Sequence, residues 1–122
     1  MAASFNALQQ EDIAFSGLHV EEGDATAGAP LIDRGTPNGN RVSTVKVTFA
    51  TPFSKPPIVH ASINYLDFYI TGAIRMQVEV KNVTTTDFDV EFFTWMDTKV
   101  SGVKARWLAI GSSNSTGALT TV

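Results

Sequence analysis

From Asp87 to Phe92 apolar and charged side chains alternate strictly, with Phe88, Val90 and Phe92 at even positions and Asp87, Asp89 and Glu91 at odd ones. Successive side chains of a strand point to opposite faces, so a period of two specifies a strand with one buried face and is incompatible with an amphipathic helix. The same period recurs along the chain. Val45, Val47 and Phe49 oppose Thr44, Lys46 and Thr48; Met76, Val78 and Val80 oppose Arg75, Gln77, Glu79 and Lys81; Val103, Ala105, Trp107 and Ala109 oppose Lys104, Arg106, Leu108 and Ile110.

Two further strands are expected. One spans Ile13 to Val20, with a bulge at Ser16-Gly17, and the other spans Ile58 to Leu66, with mixed faces. The connections carry turn chemistry: Thr36-Pro37-Asn38-Gly39-Asn40 suits a tight turn, and the prolines of Pro52 to Pro57 cannot donate to a ladder. Glu21 to Arg41 reads as the longest irregular stretch, and Phe68 to Gly72 as an aromatic connection. Six short strands with Pro- and Gly-punctuated turns imply an all-β fold, a six-stranded antiparallel β-sandwich. The expected organisation is an N-terminal arm over residues 1–12, one domain over 13–111 and a Ser- and Thr-rich tail over 112–122.

Composition narrows the function. Nine basic against twelve acidic side chains give a net charge of -3, which disfavours a nucleic-acid partner held by phosphate contacts. No apolar run approaches the span of a bilayer, so no membrane insertion is expected, and Met1 to Asn6 lacks the basic and apolar pattern of a leader. The chain has no cysteine, and His19 and His60 have no paired ligand at a metal-binding spacing. Asp87, Asp89 and Glu91 point outward in a row without the turning glycine of a calcium loop. No nucleophile elbow or phosphate-binding glycine loop is present. Neither catalysis nor a cofactor is expected, and the localisation stays open between an extracellular protein and part of a surface-exposed assembly.

The alternation breaks at Phe93 and Trp95, two aromatics on the odd face that Asp87 to Glu91 mark as polar. Such rings serve either as a covered strand end or as a stacking platform for a ligand. Arg75, Trp95 and the Asn38 to Asn40 turn supply a forked guanidinium, an indole and short amides. Those groups suit a sugar, which offers C–H faces and vicinal hydroxyls.

Longer motifs carry a resemblance. Val47-Thr-Phe-Ala-Thr-Pro-Phe-Ser-Lys-Pro-Pro-Ile-Val59, Ile63-Asn-Tyr-Leu-Asp67, Arg75, Phe93-Thr-Trp-Met-Asp-Thr-Lys-Val100 and Trp107-Leu-Ala-Ile110 closely resemble the H-type lectin domain of snail agglutinins and discoidins. The resemblance covers about Phe15 to Gly111. It implies a trimer, or a dimer of trimers, that binds galactose- or N-acetylgalactosamine-type glycans without calcium, in clefts between protomers. Carried over by position, Arg75 and Trp95 match the sugar-binding arginine and tryptophan. Met96 stands where snail members have a histidine. The neighbouring protomer's loop falls at Thr36 to Asn40, with Asn38 nearest the place of its acid and Gly39 and Asn40 beside it. Asp67 and Asp97 are expected to brace turns near the cleft, and Phe93 to lie in the subunit contact. Glu21 and Phe92 occupy the places of snail cysteines. The loss of the acid and of the histidine keeps open an alternative, a trimeric structural or receptor-binding adaptor module that has the fold without sugar binding.

Overall fold

A computed structural model describes residues 17–32, 39–69 and 72–114. The arm expected over residues 1–12, Ile13 and Phe15 of the first expected strand, and Asn38 of the expected site all lie outside the described residues. Six strands form: β1 Leu18–Thr26, β2 Arg41–Thr48, β3 Ile58–Phe68, β4 Gln77–Lys81, β5 Asp87–Thr94 and β6 Val100–Ser112. They pair antiparallel into two three-stranded sheets, in the orders β1-β6-β3 and β2-β5-β4.

The expected alternation sets the inner faces. Phe88, Val90 and Phe92 of β5 are fully buried, flanked by Val47 and Val45 of β2 and by Val80 and Val78 of β4. From the other sheet Val103, Ala105, Trp107 and Ala109 face them, with Val59, Ala61 and Ile63 of β3 alongside. Large rings therefore meet small side chains. The Phe88 ring packs edge-on against Trp107 at 5.1 Å and beside Phe49 at 5.3 Å. Burying one such ring contributes about 1.5–3 kcal/mol. Phe53 plugs the end of the sandwich from the proline loop, edge-on to Phe49 at 4.8 Å, and its amide donates to the Thr85 carbonyl at 2.9 Å.

Several boundaries depart from the expectation. β1 begins at Leu18, next to a turn at Gly17, and runs to Thr26, so the first third of the supposed irregular stretch is strand. Its polarity is inverted: Leu18 and Val20 face out, whereas His19, Glu21, Gly23 and Ala25 face in. Gly23 is the glycine that matters here, because a Cβ there would fall 2.8 Å from Cζ2 of Trp107. Glu21 caps the loop after β2, its carboxylate accepting the amides of Ala50 at 2.8 Å and Thr51 at 2.9 Å, with His19 Nε2 at 2.8 Å. β3 continues through Phe68, with a register shift between Ile63 and Tyr65 that turns Tyr65 and Leu66 toward solvent. β6 extends through Ser112, and Ser113 bridges to Phe53, so the ladder passes the point where the tail was expected to begin.

Candidate functional site

The candidate residues gather at the end of the β2-β5-β4 sheet where β5 stops and β2 and β4 start. Arg75 lies two residues before β4, outside the strand in which the alternation placed it. Extending the register that pairs Gln77 with Phe93 sets Arg75 opposite Trp95, and extending the Arg41–Thr94 pair sets Asn40 on the other flank of Trp95. Asn40, Trp95 and Arg75 thus lie just beyond the ends of the two ladders, at one end of the sheet. The Phe93 and Trp95 rings stack at 5.4 Å with their planes 22° apart, both half-buried. Phe93 thus covers one face of the indole.

Two buried threonines hold Arg75 in place. Thr94 Oγ1 donates to the Arg75 carbonyl, and Thr98 Oγ1 donates to the Ala73 carbonyl at 3.0 Å. Thr94 continues the inward parity of Phe88, Val90 and Phe92, a hydroxyl where an apolar side chain is due, and that parity break marks it in the sequence. The guanidinium of Arg75 donates from Nη1 to Asp97 Oδ1 and to Thr98 Oγ1, both at 3.0 Å. Among the described residues both of its side-chain bonds leave from Nη1. Asp97 is 78% exposed, so the ion pair adds little stability, and its effect is orientation.

The loop before β2 meets the same turn. The Met96 carbonyl accepts from the Gly39 amide at 3.1 Å and from Nη2 of Arg41 at 2.8 Å, while Nε of Arg41 donates to the Gly39 carbonyl at 3.2 Å. Gly39 has φ +86°, open to glycine without strain, and Met96 has φ 60°. Gly39 and Met96 are thereby joined within one chain. Arg41 escaped sequence reading although Arg41 and Ser43 carry on the inward parity of Val45 and Val47. A buried charge on a core face was the available signal.

Asp67 sits on the other sheet, opposite Gly102 and one residue before Phe68. Phe68, Ala73, Ile74, Asp97, Thr98 and Lys99 line a shallow cleft beside Arg75. Asp97 is therefore tied directly to Arg75, whereas Asp67 adjoins the cleft only through its neighbour. Among the described residues no three His, Asp or Glu side chains are grouped to hold a metal ion.

The family model of the H-type lectin domain matches residues 44–110, more than half of the chain. A Fuscovulum blasticum protein named ATP synthase subunits region ORF 7 is 35% identical over 100 residues, covering 80% of this chain and 87% of its own length. Discoidin-2 of Dictyostelium discoideum is 28% identical over 102 residues, covering 83% of this chain, which spans only 39% of that protein. The native structure of recombinant discoidin II superposes with a TM-score of 0.70 at 26% identity, over 80% of this chain and 38% of that one. With two antiparallel three-stranded sheets, the matched span and these relatives in agreement, the chain belongs to the H-type lectin domain family, a family of carbohydrate-binding lectins.

Proposed function

We propose that this protein is a calcium-independent lectin for galactose- or N-acetylgalactosamine-type glycans, acting as a trimer. The observation that carries the reading is Arg75, held through Nη1 by Asp97 and Thr98, at the same end of the sheet as Trp95, whose half-buried ring stacks on Phe93. A pyranose laid on the open indole face brings its vicinal hydroxyls toward the Nε and Nη2 donors of Arg75. Met96, 55% exposed, adds an apolar, adaptable wall where snail members have a histidine. Gly39 and Asn40, with Asn38 before them, complete the cleft from the loop before β2 of the same chain, where the Gly39 amide meets the Met96 carbonyl. Every partner assigned to the sugar is a protein donor or an apolar surface, so a chelator leaves binding unchanged. Asp97 braces the cleft by orienting Arg75, and Asp67 does so through Phe68.

The trimer is supported by the outer face of the β1-β6-β3 sheet. Register places Val20, Ile110 and Ile58 side by side, and they are 49%, 40% and 80% exposed. Leu18 and Leu108 flank them, also exposed. Three symmetric sites on such an assembly gain avidity on a glycan-bearing surface.

A glycan array probed with the wild-type protein and with Arg75→Ala tests the reading. Binding to terminal galactose or N-acetylgalactosamine that survives chelation and disappears in the variant is expected; a blank array for the wild type at high valency sinks it. The blank array would favour the second reading, a trimeric adaptor module that keeps the fold without sugar binding. The specific observation behind that reading is Asn38 and Met96 in place of the acid and the histidine.

A further inference from the structure

Met96 adopts a left-handed backbone, φ 60°, which side chains other than those of Gly, Asn and Asp rarely enter unless their surroundings hold them there. What surrounds it is Arg41. The guanidinium donates from Nη2 to the Met96 carbonyl at 2.8 Å and from Nε to the Gly39 carbonyl at 3.2 Å, and the Gly39 amide returns to the Met96 carbonyl at 3.1 Å. One side chain thus joins the loop before β2 to the turn after β5.

The placement of this charge is unfavourable for stability alone. Arg41 is only 8% exposed, and among the described residues no carboxylate pairs with it and its Nη1 has no hydrogen-bond partner. A buried cation left partly unsatisfied is a poorer core residue than an apolar side chain of similar volume. Its bonds instead fix a conformation. With the Met96 carbonyl turned inward to Arg41, the Met96 side chain stands outward, Trp95 on one side stacks on Phe93, and Asp97 on the other meets Arg75.

We infer that Arg41 is a positioning residue of the sugar site, holding Met96 left-handed so that Trp95, Met96 and Asp97 are presented together. This inference rests on the lectin reading for its effect on binding. The clamp itself is measurable without a ligand.

The test is Arg41→Met, alone and with Met96→Asn, since Asn enters the left-handed region readily. Immobilised N-acetylgalactosamine is the binding probe, and hydrogen exchange at the Gly39 amide is the ligand-free readout. Arg41→Met is expected to weaken binding roughly tenfold and to speed Gly39 exchange. In the Met96→Asn background the same change should alter binding by less than about twofold, because the turn no longer depends on the clamp. An equal loss in both backgrounds, or an unchanged Gly39 exchange rate in Arg41→Met, overturns the proposal. If wild-type protein binds no sugar, the lectin reading falls while Gly39 exchange still decides the clamp. Should Arg41→Met not fold, Arg41→Lys keeps the charge with a single reach, and slower Gly39 exchange than wild type or no change there counts against the clamp equally.

Discussion

The outer faces of the two sheets are built on the same period of two and end up opposite in chemistry. On β2-β5-β4 the face is laced with ion pairs: Lys46 lies 3.4 Å from Asp89, and Lys81 lies 2.9 Å from Glu91. Only its last rows turn aromatic, at Phe93 and Trp95. On β1-β6-β3 the charges are confined to one end, where Arg106 meets Glu22 and Asp24, and the other end carries the row of Val20, Ile110 and Ile58. A salt-laced face is content in water, whereas a contiguous apolar row across three strands calls for a cover. The difference assigns one outer face to recognition at its rim and the other to the assembly we propose.

The largest expected effect breaks the apolar side of that comparison. Ile110→Asp, in the middle of the row, should reduce the mass in sedimentation from three chains to one, a loss in the range of about 2–4 kcal/mol typical of interface hot spots. Its far-UV spectrum should stay that of the wild type. A wild type that already sediments as a single chain contradicts the assembly. Next in size, Arg75→Ala should weaken sugar binding roughly 10- to 100-fold, the loss of charge-assisted hydrogen bonds, with mass and melting nearly unchanged.

A third change tests the inverted strand. Burial pulls the Glu21 carboxyl upward, but the Thr51 and Ala50 amides and His19 outweigh it and leave it below the usual carboxylate range. A carboxyl lowered by folding stabilises the protein above its unfolded pKa, and that stability is lost as pH falls through the lowered folded value. Glu21→Ala should therefore cost about 2 kcal/mol near neutral pH, and the gap to wild type should close as the pH is taken below the carboxylate range. Urea melts at a series of pH values read this directly; a gap that widens on acidification refutes the assignment. The smallest effect belongs to the salt-laced face. Lys46→Ala should change stability by less than about 1 kcal/mol, fade in high salt and leave the mass unaltered.

The parts of the fold that were legible in the sequence are those whose inward side chains are apolar. β2, β4, β5 and β6 announced themselves because Val, Phe and Trp recur at every second place. β1 did not, since its inward positions hold His19, Glu21 and Gly23, where a carboxylate caps a loop and a glycine makes room for Trp107. A period of two is read on the assumption that buried means apolar, and in β1 the inward face is largely polar while Leu18 and Val20 face outward. The site was half legible for the same reason. Arg75 and Trp95 stand out by type and motif, but the residues that orient them, Arg41, Thr94 and Thr98, bond through side chain and backbone across 19 to 55 residues of chain. No local pattern encodes such contacts. Arg41 and Thr94 betray themselves only as polar residues on an inward parity.

The most direct measurement is a titration of N-acetylgalactosamine followed by the two indole N–H resonances. Trp95 is half-exposed at the rim, and Trp107 is 6% exposed in the core. The Trp95 resonance should move saturably with sugar, unaffected by chelator, while Trp107 stays still and Arg75→Ala abolishes the shift. A Trp95 resonance that does not respond at saturating sugar, with the protein folded and assembled, contradicts sugar recognition at this end of the sheet.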